Sequence, residues 1–450
     1  MVCAGAMSIA KFRGATRSAS RARGRMSSKV HPDAVEAVVL AECDADEVLR
    51  LTQALISIES HRNVAGHETA VATHIRDVFV AAGIPADLRE VVPGRPNVIA
   101  IMKGGDGPSL MFNGHTDTVP PGTMKAPFEP SIADGNLRGR GACDMKSGLA
   151  AQICAMLAIK RAGVSLAGDI IFTGVIAEED TTSLGSMAVI ENGPRADMVV
   201  VSEPTSLKVA IAHKGFDYYQ IEVEGRAAHS SRPDSGVNAI YRAAEIIAAV
   251  RNEVVGQLDD RPHPLVGPGT VNVAAIIGFP RSESATALGR KGPVEKPDGG
   301  TVPDTCTISL DHRRLPGTTH LDFVETLTDA IDRLPRSPAT ATARYVRPCK
   351  ELESHPPLDT PENAPLVTEA LRLSETHAGH APQAIGVPYW SDAALFNAHW
   401  GVPAIVFGPG DISVAHSNRE FVPVDELIRA TRVNALLALA LLRPGDGAGA

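Results

Sequence analysis

The chain is 450 residues long, with 44% apolar and 21% charged residues and a formal net charge of −9; this is the composition of a soluble globular protein with room for two domains. The first 32 residues hold seven Lys or Arg and no acid, leaving 36 basic against 52 acidic residues in the remainder, a balance of −16. An acidic body of that kind excludes nucleic acid and anionic membrane as partners.

In chain order, residues 1–32 read as a basic, Ala- and Ser-rich extension. Its composition is that of a transit peptide or of a disordered tail, and it has no apolar h-region of a secretory signal. From about Asp46, helical stretches alternate with short β-branched runs. A helix is predicted over Thr69 to Ala82, stopped by Gly83, and another over Asp144 to Ala162, stopped by Gly163. Strands are predicted at Asn97 to Met102, Ser109 to Phe112, Asp169 to Ile176 and Asp197 to Val201. This alternation argues for a mostly parallel sheet covered by helices.

The middle of the chain follows a different order. A strand at Phe216 to Glu224, a helix from Asn238 to about Val254, strands at Thr270 to Ile277 and Thr305 to Asp311, a helix at His320 to Leu334 and a strand at Thr340 to Tyr345 spell β-α-β-β-α-β, a ferredoxin-like α+β pattern. The segment Arg281 to Gly300, rich in Gly, Pro and charge, reads as a loop. After Pro356 the α/β pattern resumes, with a helix at Ala364 to His377, a buried strand at Val402 to Phe407 and a last helix from Val424. The expected organisation is an α/β domain over 33–209 and 351–450, interrupted at 210–350 by a smaller α+β domain. The longest late apolar run, Ala435 to Leu442, falls far short of the roughly 20 residues of a membrane span. The six cysteines are scattered, with no disulfide or thiolate-zinc spacing, which points to a reducing, cytoplasmic setting.

In an open α/β sheet, ligands bind at the carboxyl ends of the strands. His115 in "NGHTDTVP", Glu178 and Glu179 in "AEED", Glu203 in "SEPT" and His416 in "AHSNREFVP" each follow one of four separate strands. Asp144, in "GRGACDMKSG", stands at the start of a helix. Two His with several carboxylates and no thiolate suit zinc or a similar divalent cation, and two cations if one carboxylate bridges them. On a strand-like backbone only one of Glu178 and Glu179 could bind metal while the other faces the substrate. A glutamate beside a metal-held water is placed for general base catalysis. Asp117 is placed to accept the other imidazole N–H of His115.

These stretches, with "HKG" and "GRAAHSS" of the middle region, resemble the motif series of the metallopeptidase family that includes acetylornithine deacetylase, succinyl-diaminopimelate desuccinylase, aminoacylase and glutamate carboxypeptidase. The resemblance runs in order from about residue 50 to the end. It implies a dizinc amidohydrolase, with cobalt or manganese as workable substitutes, in which a zinc-exopeptidase-like α/β domain carries a lid domain that commonly dimerises. By motif, His115 and Glu203 would hold one metal, Glu179 and His416 the other, and Asp144 would bridge. Glu178 would be the general base and Asp117 would orient His115. His229 would stabilise the oxyanion, often in the partner's site, and Arg313 rather than the adjacent Arg314 would bind a substrate carboxylate. Gly300 departs from the family, many of whose members have asparagine there to hold the polar end of the substrate.

The expected activity is metal-dependent hydrolysis of the amide bond of an N-acyl amino acid, a deacylation as in acetylornithine deacetylase, acting on a small-molecule substrate. The alternatives are a di- or carboxypeptidase of the same chemistry, or a non-catalytic binding member, which would have lost the base or a ligand. A metal-dependent phosphoesterase is disfavoured, because no Gly-rich phosphate loop adjoins the carboxylates.

Overall fold

The computed structural model describes residues 32–281 and 300–443. The basic extension and most of the Gly- and Pro-rich segment at 281–300 lie outside the described residues. Helices α1 (Pro32–Ala41), α2 (Ala45–Ser57) and α3 (Thr69–Ala81) lead into strands β1 (Ala86–Val92), β2 (Arg95–Met102) and β3 (Leu110–His115), then β4 (Ser131–Ala133) and β5 (Asn136–Arg138). Next come α4 (Lys146–Ala162), β6 (Ile170–Val175), α5 (Leu184–Asn192), β7 (Met198–Val201) and β8 (Ala210–His213).

Strands β9 (Gly215–Glu224), β10 (Thr270–Phe279), β11 (Thr305–Arg314) and β12 (Thr340–Val346) form a separate sheet with α6 (Ala239–Ala249), α7 (Val255–Asp259) and α8 (His320–Asp332). The chain closes with β13 (Leu358–Asp359), α9 (Pro365–Leu373), β14 (Ile385–Val387), α10 (Ala393–Trp400), β15 (Ala404–Val406), β16 (Phe421–Pro423) and α11 (Val424–Leu441).

The large sheet has nine strands in the order β1-β2-β6-β3-β7-β15-β8-β13, with β14 beside β8. Its centre is parallel: β6, β3, β7 and β15 all run the same way. The sheet as a whole is mixed, because β1 and β2 form an antiparallel hairpin, β2 joins β6 antiparallel, and β13 and β15 pair β8 antiparallel. The parallel part is apolar on both sides, as a sheet covered on both faces requires: β3, β6 and β7 are buried at every residue. One core contains Phe79, Phe112, Phe172, Leu149 and Leu436, contributed partly by α3, α4 and α11. The other lies under α5 and α10 and contains Met111, Ile171, Val199, Phe396 and Trp400. Helix α4 comes close to the end of β7 because residue 148 is glycine; a Cβ there would sit 2.2 Å from the Ser202 carbonyl oxygen, and the close approach brings Asp144 towards Glu203.

The small sheet is antiparallel throughout, in the order β10-β11-β9-β12, and has its own core of Tyr219, Ile221, Ile308, Leu310, Phe323 and Leu327. Its chain order is β-α-β-β-α-β, and the alternation of buried and half-buried residues along β11 turns Arg314 inward and Arg313 outward. No helix among the described residues is long and apolar enough to cross a membrane.

Candidate metal and catalytic site

Four parallel neighbours, β6, β3, β7 and β15, end at the same edge of the large sheet, so the residues that follow them are delivered to one place. His115 is the last residue of β3, Glu203 follows β7, and Glu178 and Glu179 follow β6. His416 arrives by the loop after β15, in the left-handed conformation at φ 59°. Asp144 precedes α4.

The six side chains meet. His115 Nε2 lies 3.0 Å from Asp144 Oδ1 and 3.4 Å from Glu203 Oε1. His416 Nε2 lies 3.2 Å from Asp144 Oδ2 and 3.1 Å from Glu179. Ligand atoms of His115, Glu178 and Glu203 fall within 4.8 Å of one another, and so do those of His115, Asp144 and Glu179. Asp144 therefore shows one oxygen to each imidazole.

Glu178 and Glu179 both reach the cavity, contrary to the alternation expected of a strand. The backbone there is a turn, with Ala177 at φ 65° and Thr181 at φ 64°, so successive side chains need not point apart. Asp117 shapes this turn: its carboxylate accepts hydrogen bonds from the N–H groups of Glu178 at 3.4 Å and Glu179 at 3.0 Å. The His115 ring instead donates Nδ1–H to the Asp117 carbonyl oxygen at 2.9 Å, with the Asp117 carboxylate 3.7 Å away. A carbonyl can only accept, so Nδ1 carries the proton and Nε2 is the nitrogen free to coordinate.

The electrostatics are those of crowded carboxylates. Burial pushes Glu203 up to about 8, with the Asp144 charge adding to it, and pushes Asp117 up to about 7. Burial also raises Glu178 well above its ordinary value, helped by Glu203 and Asp392. Burial opposes charge at Asp144 too, but hydrogen bonds from His115 and His416 hold its carboxyl far below the usual range. The same contacts with Asp144 and Glu179 raise His416 to about 10, and against the effect of burial, Glu203 and Asp144 hold His115 well above its ordinary value. Four carboxylates and two imidazoles facing one another offer an oxygen and nitrogen donor set that fits divalent cations, whose charge relieves the repulsion.

The four carboxylates and His416 line a cavity of about 610 Å³, whose other walls are Thr181, Phe216, Tyr218, Arg313, Pro388, Tyr389, Trp390 and Ile412. Arg313 sits 5.0 Å over the Phe216 ring, and its Nε is 3.1 Å from Asp311. Arg314 is buried and donates to Asp217 at 2.7 Å and to the carbonyls of Thr318 and His355. His229 is exposed, paired with Ser231 at 2.8 Å, and is not among the residues lining this cavity.

Several supporting residues carried no sequence signal of their own. Glu420 pairs with Arg140 and accepts the backbone N–H groups of Cys143 and Asp144. Asp392 accepts a hydrogen bond from Ser186 at 2.6 Å, in the helix after the Glu178 turn. His355, just beyond the small sheet, donates to the Thr181 carbonyl at 2.9 Å and stacks on Phe216 at 3.7 Å. The one local hint was "VPYWSD", two adjacent large aromatics in an aromatic-poor chain.

Comparison with known proteins gives the family. The chain is 30% identical over 368 residues to acetylornithine deacetylase of Myxococcus xanthus, covering 79% of this chain and 87% of that one. It is 27% identical over 429 residues to N-formyl-4-amino-5-aminomethyl-2-methylpyrimidine deformylase of Bacillus subtilis, covering 86% and 93%. Among solved structures, aminopeptidase PepT from Bacillus cereus aligns with a TM-score of 0.70 at 20% identity over 89% of this chain and 99% of that one, a likeness of fold. The profile of peptidase family M20/M25/M40 matches residues 111–440, and the chain belongs to that family of metal-dependent hydrolases of amide bonds.

Proposed function

We propose that this enzyme removes the acyl group from N-acyl amino acids or closely similar N-acyl amines, in the manner of an acetylornithine deacetylase. The observation that carries the reading is the placing of Glu178 in the same cavity as Asp144, whose two oxygens face His115 and His416. The names of the relatives favour deacylation over peptide cleavage, since those matched over most of their length include a deacetylase and a deformylase.

In this reading His115 and Glu203 would hold one zinc, Glu179 and His416 a second, and Asp144 would serve both. Zinc suits a site of two imidazoles and carboxylates, and cobalt or manganese would serve as well. Bound cations would supply Lewis-acid polarisation of the scissile carbonyl and lower the pKa of the attacking water. Glu178, whose burial raises its proton affinity, takes the proton of that water and delivers it to the leaving nitrogen. Asp117 fixes the His115 tautomer through its carbonyl and the Glu178–Glu179 turn through its carboxylate.

Arg313, on the rim formed by the small sheet, binds the polar end of the substrate. His229 serves the cavity of a second copy, donating to the oxyanion there. A homodimer through the body of β9 to β12, acting as lid, is supported by Ile276 and Ile277 of edge strand β10 and by Tyr241, all exposed. The five cysteines of the described residues are free, which suits a cytoplasmic location. The test is turnover of the metal-loaded protein on N-acetyl, N-formyl and N-succinyl amino acids and on dipeptides, beside a chelated control. Cleavage of N-acyl amino acids only when metal is present is the expected result, and cleavage of dipeptides alone would make the enzyme a peptidase.

A further inference from the structure

Beyond its carboxylates the cavity is aromatic. Aromatic residues make up 4% of the chain, and it contains two Trp and five Tyr in all. Yet Phe216, Tyr218, Tyr389 and Trp390 are four of the thirteen residues around this one cavity. They come from two bodies: Phe216 and Tyr218 from β9 of the small sheet, Tyr389 and Trp390 from the loop before α10 of the large one.

Their polar ends are already occupied. The Tyr389 hydroxyl donates to the Pro204 carbonyl at 2.7 Å, and Trp390 Nε1 donates to the Pro356 carbonyl at 2.8 Å. What these two side chains offer a ligand is therefore ring surface, and little of it at Trp390, which is 8% exposed and packed against Phe216 and His355. The rings are also held in place: Phe216 is stacked on His355, meets Trp390 edge-on at 5.6 Å and 87°, and meets Tyr218 at 5.8 Å and 71°. Tyr218 remains 37% exposed, so it is the wall with ring surface to spare.

The one arginine lining the cavity is not an open carboxylate receptor. Arg313 is engaged by Asp311 through both Nε, at 3.1 Å, and Nη2, at 3.2 Å. Part of its fork is used and its charge is offset, while its guanidinium plane lies over Phe216.

We infer that the substrate carries a planar aromatic or heteroaromatic ring near the scissile amide, bound by ring stacking against the wall of Tyr218 and Trp390 rather than by recognition of a carboxylate alone. This rests on the deacylase reading above and narrows its substrate class. Preformed aromatic surfaces favour offset-stacked and edge-on partners, and a flat ring fits such a wall better than a puckered one of equal size.

The test compares N-acetyl-phenylalanine and N-acetyl-tryptophan with N-acetyl-cyclohexylalanine, N-acetyl-leucine and N-acetyl-ornithine on metal-loaded protein. The expected result is a kcat/KM for the aromatic substrates at least about tenfold above that for cyclohexylalanine, the size of discrimination an apolar pocket gives. Tyr218→Ser should remove most of this preference and Tyr218→Phe should keep it. Equal rates on flat and puckered rings would overturn the inference and leave the deacylase reading standing, whereas no cleavage of any N-acyl amine would overturn that reading.

A binding readout separates the two further. Trp400→Phe leaves Trp390 as the only indole, and 4-nitrophenylalanine, whose nitroaryl ring quenches indole emission, should quench it saturably; phenylalanine should reverse the quenching and cyclohexylalanine should not. Reversal by both alike, or no saturable quenching, would contradict ring stacking whatever the enzyme hydrolyses.

Discussion

Glu420 holds Asp144 by its backbone: one carboxylate oxygen accepts the N–H groups of Cys143 at 3.0 Å and Asp144 at 3.1 Å, while the other pairs with buried Arg140. The residue whose oxygens face both imidazoles is thus set in place by a carboxylate 276 positions further along the chain. Glu420→Gln keeps the shape but weakens the pairing with Arg140 and offers an amide donor where acceptors are needed. It should lower metal affinity by about 10- to 100-fold, the usual cost of losing an outer partner of a ligand. Titration with zinc under a competing chelator measures this, and unchanged affinity would show that the clamp does not matter to the site.

Arg313 and Arg314 are adjacent but should fail in different ways. Arg314 forms a buried pair with Asp217 and supports two carbonyls, so Arg314→Ala leaves a buried charge alone and should cost about 3–5 kcal/mol of stability. Arg313→Ala should leave the Tm within about a degree or two, because half-exposed surface pairs contribute little, and should raise KM. Thermal unfolding and steady-state kinetics on the two variants separate the roles.

His312 gives a pH prediction. Its ring stacks on Phe323 at 3.8 Å, and burial, with Arg314 nearby, pushes its pKa from 6.5 down to about 3. Between those values the unfolded chain binds a proton that the folded chain refuses, so the contribution is intact above pH 6.5 and is lost as pH falls through that window. The loss is about 1.4 kcal/mol per pH unit. His312→Phe keeps a flat ring against Phe323 and removes the proton site, so its stability should fall less than wild type between pH 6.5 and 4.5, by about 3 kcal/mol. Parallel pH profiles of denaturant unfolding check this.

Much of the site was legible because strand ends are. Apolar runs before His115, Glu178 and Glu203 placed them at strand ends and His416 in the loop after a strand, and the parallel neighbours β6, β3, β7 and β15 turn that into proximity. The orientation of Glu178 against Glu179 was not legible, since it depends on the left-handed turn at Ala177 that Asp117 holds from another strand. The antiparallel margin was also hidden: β1 reads "ADLREVV", with too many polar residues for a buried strand, because it is an edge. Strands β4, β5 and β16 are three residues each, too short for any periodicity to show. Glu420 and Asp392 matter only through partners more than 200 residues away, and local sequence patterns carry no record of such pairings.

The most direct test of the account is metal content and turnover measured together on wild type and Glu178→Gln. Wild type should bind two divalent ions per chain and hydrolyse an N-acyl amino acid. The variant should bind the same two ions and lose at least about 100-fold in kcat, the smallest contribution expected of a general base. Turnover near the wild-type rate would contradict the role given to Glu178, and loss of an ion in the variant would make it a ligand instead.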